Sequence, residues 1–552
     1  TLNLSGYVHD NYIYILDTFI PGGVNVEAEK WTSRYFEMDD ILANARGFRV
    51  DDDVSFGLGI LNGEGIPSVY GLWTSPGSVS NSYSISDNGQ FRVSAFGSAD
   101  IGDHAIEMGF EFEQRSFRSY AVGPVGLWSL ARDMANMHID QLDFTKPHAL
   151  YLRDDDGNLI YNDMGEAVFM DTIWYSRLYS AENQALFDLR FRESQNMELD
   201  GLNWIDVDSY DPSELSIDYF SADELLNSGN SYVGYVGYDA WGNRLTQNPS
   251  LQDFFSDTYT DINGNKRYKR EKAPFEPIYS AAFIQDHFQF DDLVFNVGVR
   301  IDRFDANQMT LKDKYLLYDS YTAGDSDPKG ILSNHPDNIG DDYTVYVDNV
   351  MDPTSIKGYR NGSTWYDANG TEVADPDIIS SATGIAPYLV HPEIDMNSEY
   401  YLVSMSFEDY KPAITVMPRI SFSFPISDEA LFFAHYDVLS KRPSFSNNFD
   451  PMDYLFFITR AGDMVNNPNL RPEKTIDYEL GFQQRLSSSS ALRLTAFYKE
   501  MRDMQQAVMV VGAFPLDYMT YGNIDFGTVK GFTATYDMRR TGNVSLRTSY
   551  TL

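Results

Sequence analysis

Two stretches of strictly alternating side chains constrain this chain more than any other feature. In the first, apolar Ile106, Met108, Phe110 and Phe112 alternate with the glycine and carboxylates of residues 107–113. In the second, the apolar set runs from Leu293 to Ile301 in the same manner. A period of two places the two sets on opposite faces of a β-strand. One face is apolar and the other charged, a pattern that suits a strand between hydrocarbon and a wet lumen and that a soluble β-sandwich also shows.

The charge and the composition narrow the class of protein further. The 552 residues carry a formal net charge of −40, which repels nucleic-acid phosphates and excludes nucleic acid as a partner. Aromatic residues make up 15% of the chain, an excess that suits the interfacial girdles of a membrane protein or a surface that binds sugars or peptides. Cysteine is missing from the sequence, so disulfides and thiolate chemistry are unavailable.

Hydropathy and turns together predict the fold class. No run of about 18 apolar residues is present, so any membrane crossing must use a closed barrel, which alone satisfies the backbone in lipid. Tight turns separate alternating runs at residues 290–293, 424–430 and 487–490. We therefore predict an all-β fold, a large antiparallel up-and-down transmembrane β-barrel with short turns at one rim and long extracellular loops at the other.

Long polar tracts predict where the extracellular loops lie. We treat residues 1–552 as one barrel region, with its most extensive loops at 119–272 and 307–410. These loops are expected to contain short helices, since Ser221–Glu224 forms a capping-box pattern ahead of Leu225.

Several short motifs follow one another along residues 278–537. They are Ala282–Asp286 with Val297–Phe304, Met417–Pro425 with Lys441–Pro443, Asn467–Lys474 with Tyr478–Phe482, and Asn523–Gly531. In this order they resemble the barrel of TonB-dependent outer-membrane receptors, above all in the Asn-Pro-x-Leu-x-Pro-Glu signature that begins at Asn467.

The resemblance implies an outer-membrane receptor, not an enzyme. Such a receptor binds a scarce nutrient at its extracellular loops and imports it into the periplasm with energy transmitted by TonB. The implied partners are the outer-membrane bilayer and TonB, which acts through a plug domain, with a surface lipoprotein as a further candidate. We recognise no plug in residues 1–90, and the chain stops at Leu552 in mid-strand, so we expect the plug and the last barrel strands to lie outside it.

Aromatic residues in the loops are the candidate ligand-binding residues. Tyr232, Tyr235, Tyr238 and Trp241 occur within one glycine-rich loop, and exposed aromatics of this kind stack on sugars or hold peptides. Trp365 and Tyr366 form a second, weaker pair. The structural alternative is that these rings pack the loops against their neighbours.

One acidic loop is a candidate calcium site. Asp154, Asp156, Asn158 and Asp163 bring hard oxygen ligands close together, as Ca²⁺ prefers. The spacing departs from that of an EF-hand, and the same residue types build ordinary turns. No other cofactor is expected. Catalysis is not expected either, because the neighbours Asp286 and His287 would point to opposite faces of a strand.

Two alternatives to the receptor remain at the level of the sequence. One is an outer-membrane barrel without TonB coupling, either a passive channel or a secretion-associated protein. The other is a soluble, secreted, β-rich protein that binds glycans or peptides. An apolar belt around the outside of the structure would exclude the soluble protein.

Overall fold

A computed structural model of the chain describes residues 82–333, 335–381, 384–443 and 448–552. The predicted barrel region over residues 1–81, and most of the segment searched for a plug, lie outside the described residues. None of the described helices is long and apolar enough to cross a bilayer.

The described residues form 22 strands and five α-helices. The first eleven strands are β1 (Tyr83–Ile101), β2 (His104–Val122), β3 (Leu142–Tyr151), β4 (Phe169–Arg177), β5 (Val233–Val236), β6 (Thr258–Thr260), β7 (Lys266–Tyr268), β8 (Ile278–Phe290), β9 (Leu293–Asp305), β10 (Met309–Leu311) and β11 (Thr344–Val347). The others are β12 (Ile356–Asn361), β13 (Thr364–Asp367), β14 (Glu372–Val373), β15 (Phe407–Asp409), β16 (Ala413–Ser427), β17 (Ala430–Lys441), β18 (Met464–Val465), β19 (Glu473–Ser487), β20 (Ser490–Val510), β21 (Tyr518–Thr541) and β22 (Val544–Thr551).

The helices are short and lie in the connections between long strands. They are α1 (Gly126–Met134), α2 (Leu186–Ser194), α3 (Ala222–Leu226), α4 (Leu251–Ser256) and α5 (Pro451–Leu455). Single 3₁₀ turns occur at Met137–Ile139, Ala181–Asn183, Val207–Ser209, Pro212–Glu214, Ile217–Tyr219, Asn227–Gly229, Ile331–Ser333, Pro376–Ile379 and Val403–Met405. The predicted capping box begins α3, where the Ser221 hydroxyl accepts a hydrogen bond from the Glu224 amide.

One twelve-stranded sheet forms the wall. Its long strands pair in the order β1-β2-β8-β9-β16-β17-β19-β20-β21, and β22 pairs with β21. The pairs between these long strands are all antiparallel, and tight turns join β1 to β2, β8 to β9, β16 to β17, β19 to β20 and β21 to β22. The prediction of an antiparallel up-and-down sheet is confirmed. Among the described residues β1 and β22 are the edges of the wall, which is open between them.

The two faces of the wall are as different as the alternation predicts. Phe110, Val297 and Leu480 leave 48%, 39% and 56% of their surface exposed on the outer face, with no protein layer over them in the described chain. The opposite face carries charged side chains such as Glu111 and Arg300, whose carboxylate and guanidinium lie 3.5 Å apart. The apolar face therefore meets hydrocarbon and the charged face lines the lumen.

Tyrosines and glycines fit this arrangement of faces. Tyr436, Tyr478 and Tyr498 lie directly opposite one another on β17, β19 and β20, which gives the outer face a row of tyrosine rings. On the lumen face, Gly109 leaves room for the rings of Phe96 and Phe283, because a β-carbon there would overlap both. The alternating pattern therefore has glycine at this lumen-facing position because aromatic rings of the neighbouring strands occupy the space of a side chain.

The long connections all leave the rim opposite the tight turns. They run over residues 123–277, 306–412, 442–472 and 511–517. The first two occupy the regions where the sequence predicts long loops, and the second contains a separate sheet of β11 to β14. Long loops at a single rim mark the extracellular side of a barrel of this type.

Candidate functional site

Segments of the extracellular connections share one large hydrophobic core, beside a smaller core within the second connection. Leu130, Phe191 and Phe254 from the first connection are buried in the same cluster as Phe407 from the second and Tyr454 from the third. Apolar burial contributes about 25 cal/mol per Å², so rings of this size hold the loops together strongly. The loops therefore form a single layer over the extracellular end of the wall.

A short segment of the third connection is attached to the wall, and we call residues 464–471 the strut. Its first two residues form β18, which pairs in parallel with β21 on the edge that β22 leaves free. The amide of Asn523 accepts a hydrogen bond from the Arg471 backbone at 2.8 Å and donates one back at 2.9 Å. Asn467 donates a further bond to the carbonyl of Tyr521 at 2.8 Å.

The strut explains part of the signature that begins at Asn467. Pro468 and Pro472 lack backbone N–H groups and cannot continue a strand ladder, so side-chain amides hold the segment instead. The structure places Asn467 and Asn523, which belong to two separate motifs of the resemblance, on either side of this junction.

Two clefts open between the wall and the strut, and Pro468 lines both. The first cleft has a volume of about 320 Å³ and is lined by Glu113, Arg115, Phe117, Phe275, Pro277, Ile278, Tyr279, Phe304, Ala306, Gln308, Lys441, Arg442, Pro443, Pro468 and Leu470. The second has a volume of about 620 Å³ and lies between β10, β12, β20, β21 and the strut. Volumes of this size are typical of small-molecule sites.

Charged side chains organise the floor of the first cleft. Glu113 is 2% exposed, and its Oε1 accepts hydrogen bonds from Arg115 Nε at 2.7 Å and from Arg442 Nη1 at 2.9 Å. The Arg442 guanidinium lies 4.1 Å from the centre of the Tyr279 ring. The Tyr279 hydroxyl donates to Asp302 and accepts from Arg300, each at 2.6 Å. Arginines from a loop and a wall strand thus meet at one buried carboxylate.

A buried arginine lies beside the second cleft. Arg360 is 3% exposed and packs against Tyr315, Tyr346 and Trp365, with its guanidinium 4.7 Å, 5.9 Å and 5.5 Å from the three ring centres. It donates to the Tyr346 hydroxyl at 2.8 Å and pairs with Asp313. Burial raises the pKa of Tyr346, so the phenol stays protonated and the guanidinium supplies the charge.

The aromatic residues of the glycine-rich loop lie mostly inside the loop layer. Tyr235 and Tyr238 belong to the loop core, and the Tyr235 hydroxyl donates to the carbonyl of Arg270 at 2.8 Å. Trp241 is half-buried and donates to the carbonyl of Phe220 at 2.9 Å, and Tyr232 is also half-buried. Strand β5 carries part of this loop and pairs with β2. Ligand binding by these four residues stays a prediction.

The second predicted aromatic pair is divided between two environments. Trp365 is buried in the loop core behind the second cleft, where it contacts Arg360. Tyr366 is half-buried on the sheet of β11 to β14, with its ring 5.4 Å from that of Tyr343. Of this pair, only Trp365 lies near a cleft, where it contacts the lining residue Arg360. Ligand binding by either residue stays a prediction.

The candidate calcium residues build turns. The Asp154 carboxylate accepts hydrogen bonds from the amides of Asp156 at 3.1 Å and Asn158 at 2.8 Å. These bonds, chiefly that from Asn158, lower the pKa of Asp154. Asp163 lies in a neighbouring exposed turn. In the described chain, no three His, Asp or Glu side chains are grouped so as to hold a metal ion, and calcium binding here stays a prediction.

Sequence reasoning missed the residues that surround the first cleft. In the sequence, Glu113 is only one member of an alternating strand, and Arg442 is only one member of the Lys441–Pro443 motif. The available signal was the combination of the two, because a carboxylate on the lumen face requires a cation, and a loop that follows a wall strand can supply it.

The lipid-exposed sheet, with its loops folded over a charged lumen face, defines the wall of an outer-membrane β-barrel. Residues 33–552 match the family model described as "TonB dependent receptor-like, beta-barrel". The chain belongs to this family and lies in the outer membrane as an integral β-barrel. Members of the family are receptors and transporters.

Comparison with solved structures finds transporters and a receptor that are similar at low identity. "Copper transporter OprC" is 10% identical with a TM-score of 0.32, over 85% of this chain and 39% of that one. The siderophore receptor PiuA from Acinetobacter baumannii is 12% identical with a TM-score of 0.31, over 85% and 38%. The outer membrane transporter YddB from Escherichia coli is 8% identical with a TM-score of 0.30, over 85% and 33%.

The chain spans well under two thirds of the length of each of these proteins. A search of curated proteins finds no match. The assignment to the family therefore rests on the family model.

Proposed function

We propose that the chain supplies the wall and the extracellular loops of a receptor that imports a scarce nutrient. The nutrient binds at the extracellular loops and enters the periplasm with energy transmitted by TonB. One observation carries the proposal in addition to family membership: the loops form a single packed layer that leaves two clefts between wall and strut at the mouth of the lumen. A ligand held there lies at the entrance to the lumen.

The mechanism is gated binding and not bond chemistry, so the protein is not an enzyme. Buried rings hold the loop layer in place, which keeps the cleft residues in position before a ligand arrives. The strut is attached to β21 through the short β18 ladder at its start and through hydrogen bonds of the Asn467 and Asn523 side-chain amides further along. Side-chain hydrogen bonds contribute about 0.5–1.5 kcal/mol each, so the end of the strut at Arg471 can separate from β21 while the loop core, which includes Val465, stays folded.

The proposal includes partners and further residues. The chain acts as one barrel region over residues 1–552, with TonB engaged through a plug domain and a surface lipoprotein as a candidate partner on the loops. Within the loops, Tyr232 and Trp241 keep part of their surface accessible. Calcium bound near Asp154 would stabilise its turn without entering the transport cycle.

A barrel without TonB coupling is the alternative that needs a functional test. The outward apolar face disfavours the soluble alternative, because rings and aliphatic chains exposed over a whole sheet require lipid. A passive channel shares that face. The two barrels differ in their energy requirement.

The test compares uptake with and without TonB. Cells that carry the full-length protein and cells that lack it are grown in minimal medium with trace nutrients, and depletion of each nutrient is followed by mass spectrometry. We expect at least one nutrient to be depleted only by cells with the protein, and this depletion to stop when TonB is deleted or a protonophore is added. Depletion that persists without TonB would establish the passive channel.

A further inference from the structure

The first cleft combines an apolar wall with unused cationic hydrogen-bond donors. Phe117 and Phe275 stack on one side with their ring centres 6.0 Å apart, and Pro277, Pro468 and Leu470 complete the apolar lining. Arg115 and Arg442 lie at the charged end, each with 38% of its side chain exposed. The cleft therefore has one region that can contact the apolar part of a ligand and another that can contact its charged group.

The charges at this end do not balance. Two guanidiniums share the single carboxylate of Glu113, through the same oxygen atom. Lys441, the other cation in the lining, pairs with Glu473 at 3.4 Å outside this group. Among the described residues, one positive charge is therefore left over at the end of the cleft, within a chain whose net charge is −40.

The guanidiniums also retain donors. Within the described residues, Arg115 uses its Nε and Arg442 its Nη1 on Glu113, and their other N–H groups have no acceptor. A planar guanidinium with free N–H groups binds a carboxylate with paired hydrogen bonds. Glu113 is almost fully buried and holds both arginines towards the cleft, which makes the arrangement pre-formed.

A purely structural ion pair is the competing explanation. An ion pair that served only stability would need one cation for the buried Glu113 carboxylate and would leave little space beside it, because empty volume costs packing energy. In the part of the chain that the structure describes, one charge is in excess and a volume of about 320 Å³ remains open beside it. Both features are what a binding site retains.

We propose that the first cleft binds an amphiphilic anion. A single carboxylate is held by Arg115 and Arg442, and an aromatic or branched aliphatic body lies against Phe117, Phe275 and Leu470. This inference rests on the proposed function and names the ligand class of that receptor. The carboxylate belongs either to a free organic acid or to the C-terminus of a peptide, since both present the same head group.

The acidity of the rest of the chain does not prevent this binding. Charges separated by more than about 8–10 Å are largely screened at physiological ionic strength. The two guanidiniums act at contact distance in a half-buried cleft, where screening is weak. Distant carboxylates lower the rate of encounter more than they weaken the bound state.

The experiment measures binding to the full-length protein in lipid nanodiscs by isothermal titration calorimetry. The probes are 3-phenylpropanoate, its neutral amide 3-phenylpropanamide, propanoate, and the peptide Gly-Gly-Phe. We expect phenylpropanoate to bind about tenfold more tightly than the amide, which lacks the charge, and than propanoate, which lacks the ring. Comparison with Gly-Gly-Phe distinguishes a free acid from a peptide terminus.

The variants are Arg442→Gln, Arg115→Gln and a control, Arg303→Gln. Arg303 is 43% exposed, pairs with Asp305 near the same rim, and does not line the cleft. We expect Arg442→Gln to weaken phenylpropanoate binding about tenfold with little change for the amide, and Arg303→Gln to leave both unchanged. Arg115→Gln gives the same test if Arg442→Gln does not fold, which a gel-mobility assay of the unheated barrel reports.

Equal affinity for acid and amide, or equal binding by wild type and Arg442→Gln, would overturn the inference. The receptor proposal would survive that result if TonB-dependent nutrient depletion persists. Conversely, if the acid binds tightly but nutrient depletion does not depend on TonB, the ligand class proposed for the cleft is supported and the proposed TonB-dependent import is refuted.

Discussion

An arginine placed on the outer face of β19 tests the assignment of lipid and lumen faces. Leu480 is 56% exposed and lies opposite Ala434 and Ala496, which offer an arginine no partner. A tilted strand crosses the hydrocarbon in about 9–11 residues. Counted from the tight turn after Ser487, Leu480 is near the middle of that span. Leu480→Arg should therefore lower the free energy of unfolding by about 2–4 kcal/mol.

The matched control is Thr533→Arg on the lumen face. Thr533 lines a lumenal cavity of about 1220 Å³ and lies opposite Thr495, so a long cation there reaches water. We expect a cost of at most about 1 kcal/mol, chiefly the lost hydrogen bond to Thr551. A second control, Leu480→Ala, removes the side chain without adding charge and should also be mild.

The assay is a urea titration of the full-length protein folded into phospholipid vesicles, followed by tryptophan fluorescence and by gel mobility of unheated samples. The midpoint and slope give the free energy of unfolding for each variant. Equal losses for Leu480→Arg and Thr533→Arg would refute the face assignment. A loss below about 1 kcal/mol for Leu480→Arg would mean that this position is outside the hydrocarbon.

Three further predictions address single elements. Val297→Arg, although it also faces lipid, should cost less than about 2 kcal/mol in the same titration, because Asp286 lies directly opposite and can pair with the new cation. Asn523→Ala should lower the free energy that holds the strut on β21 by about 1–3 kcal/mol, because both hydrogen bonds to the Arg471 backbone are lost. Amide hydrogen exchange at Arg471 should then accelerate while the wall stays protected. Burial raises the pKa of Asp453 from 3.8 to about 6. Between these pH values the folded loop keeps the carboxyl proton that the unfolded loop has released, so the free energy of unfolding of the loop should fall as pH rises from about 4 to about 6. Asp453→Asn should remove that pH dependence and stabilise the loop at pH 7.5 by about 2–3 kcal/mol in proteolysis-based measurements of opening, and an unchanged pH profile would contradict the burial argument.

The strands of the wall and their two faces could be predicted from local sequence. Alternation from Ile106 to Glu113 determines which side chains share a face, because the period of a strand is two and does not depend on distant residues. The tight turns at residues 290–293 and 487–490 join neighbours in the chain, so the hairpin pairs of the wall followed from them. Local backbone geometry was therefore sufficient to predict the fold class.

The binding surface was decided by the tertiary structure. Glu113, Tyr279 and Arg442 are far apart in the sequence and meet only because β2 and β8 are adjacent and a loop returns over them. Local pattern could not show that Tyr235 is 2% exposed, because the rings of a glycine-rich loop can face a ligand or a core equally well. Which of these happens depends on what the other long connections place above the wall, a property of the folded chain as a whole.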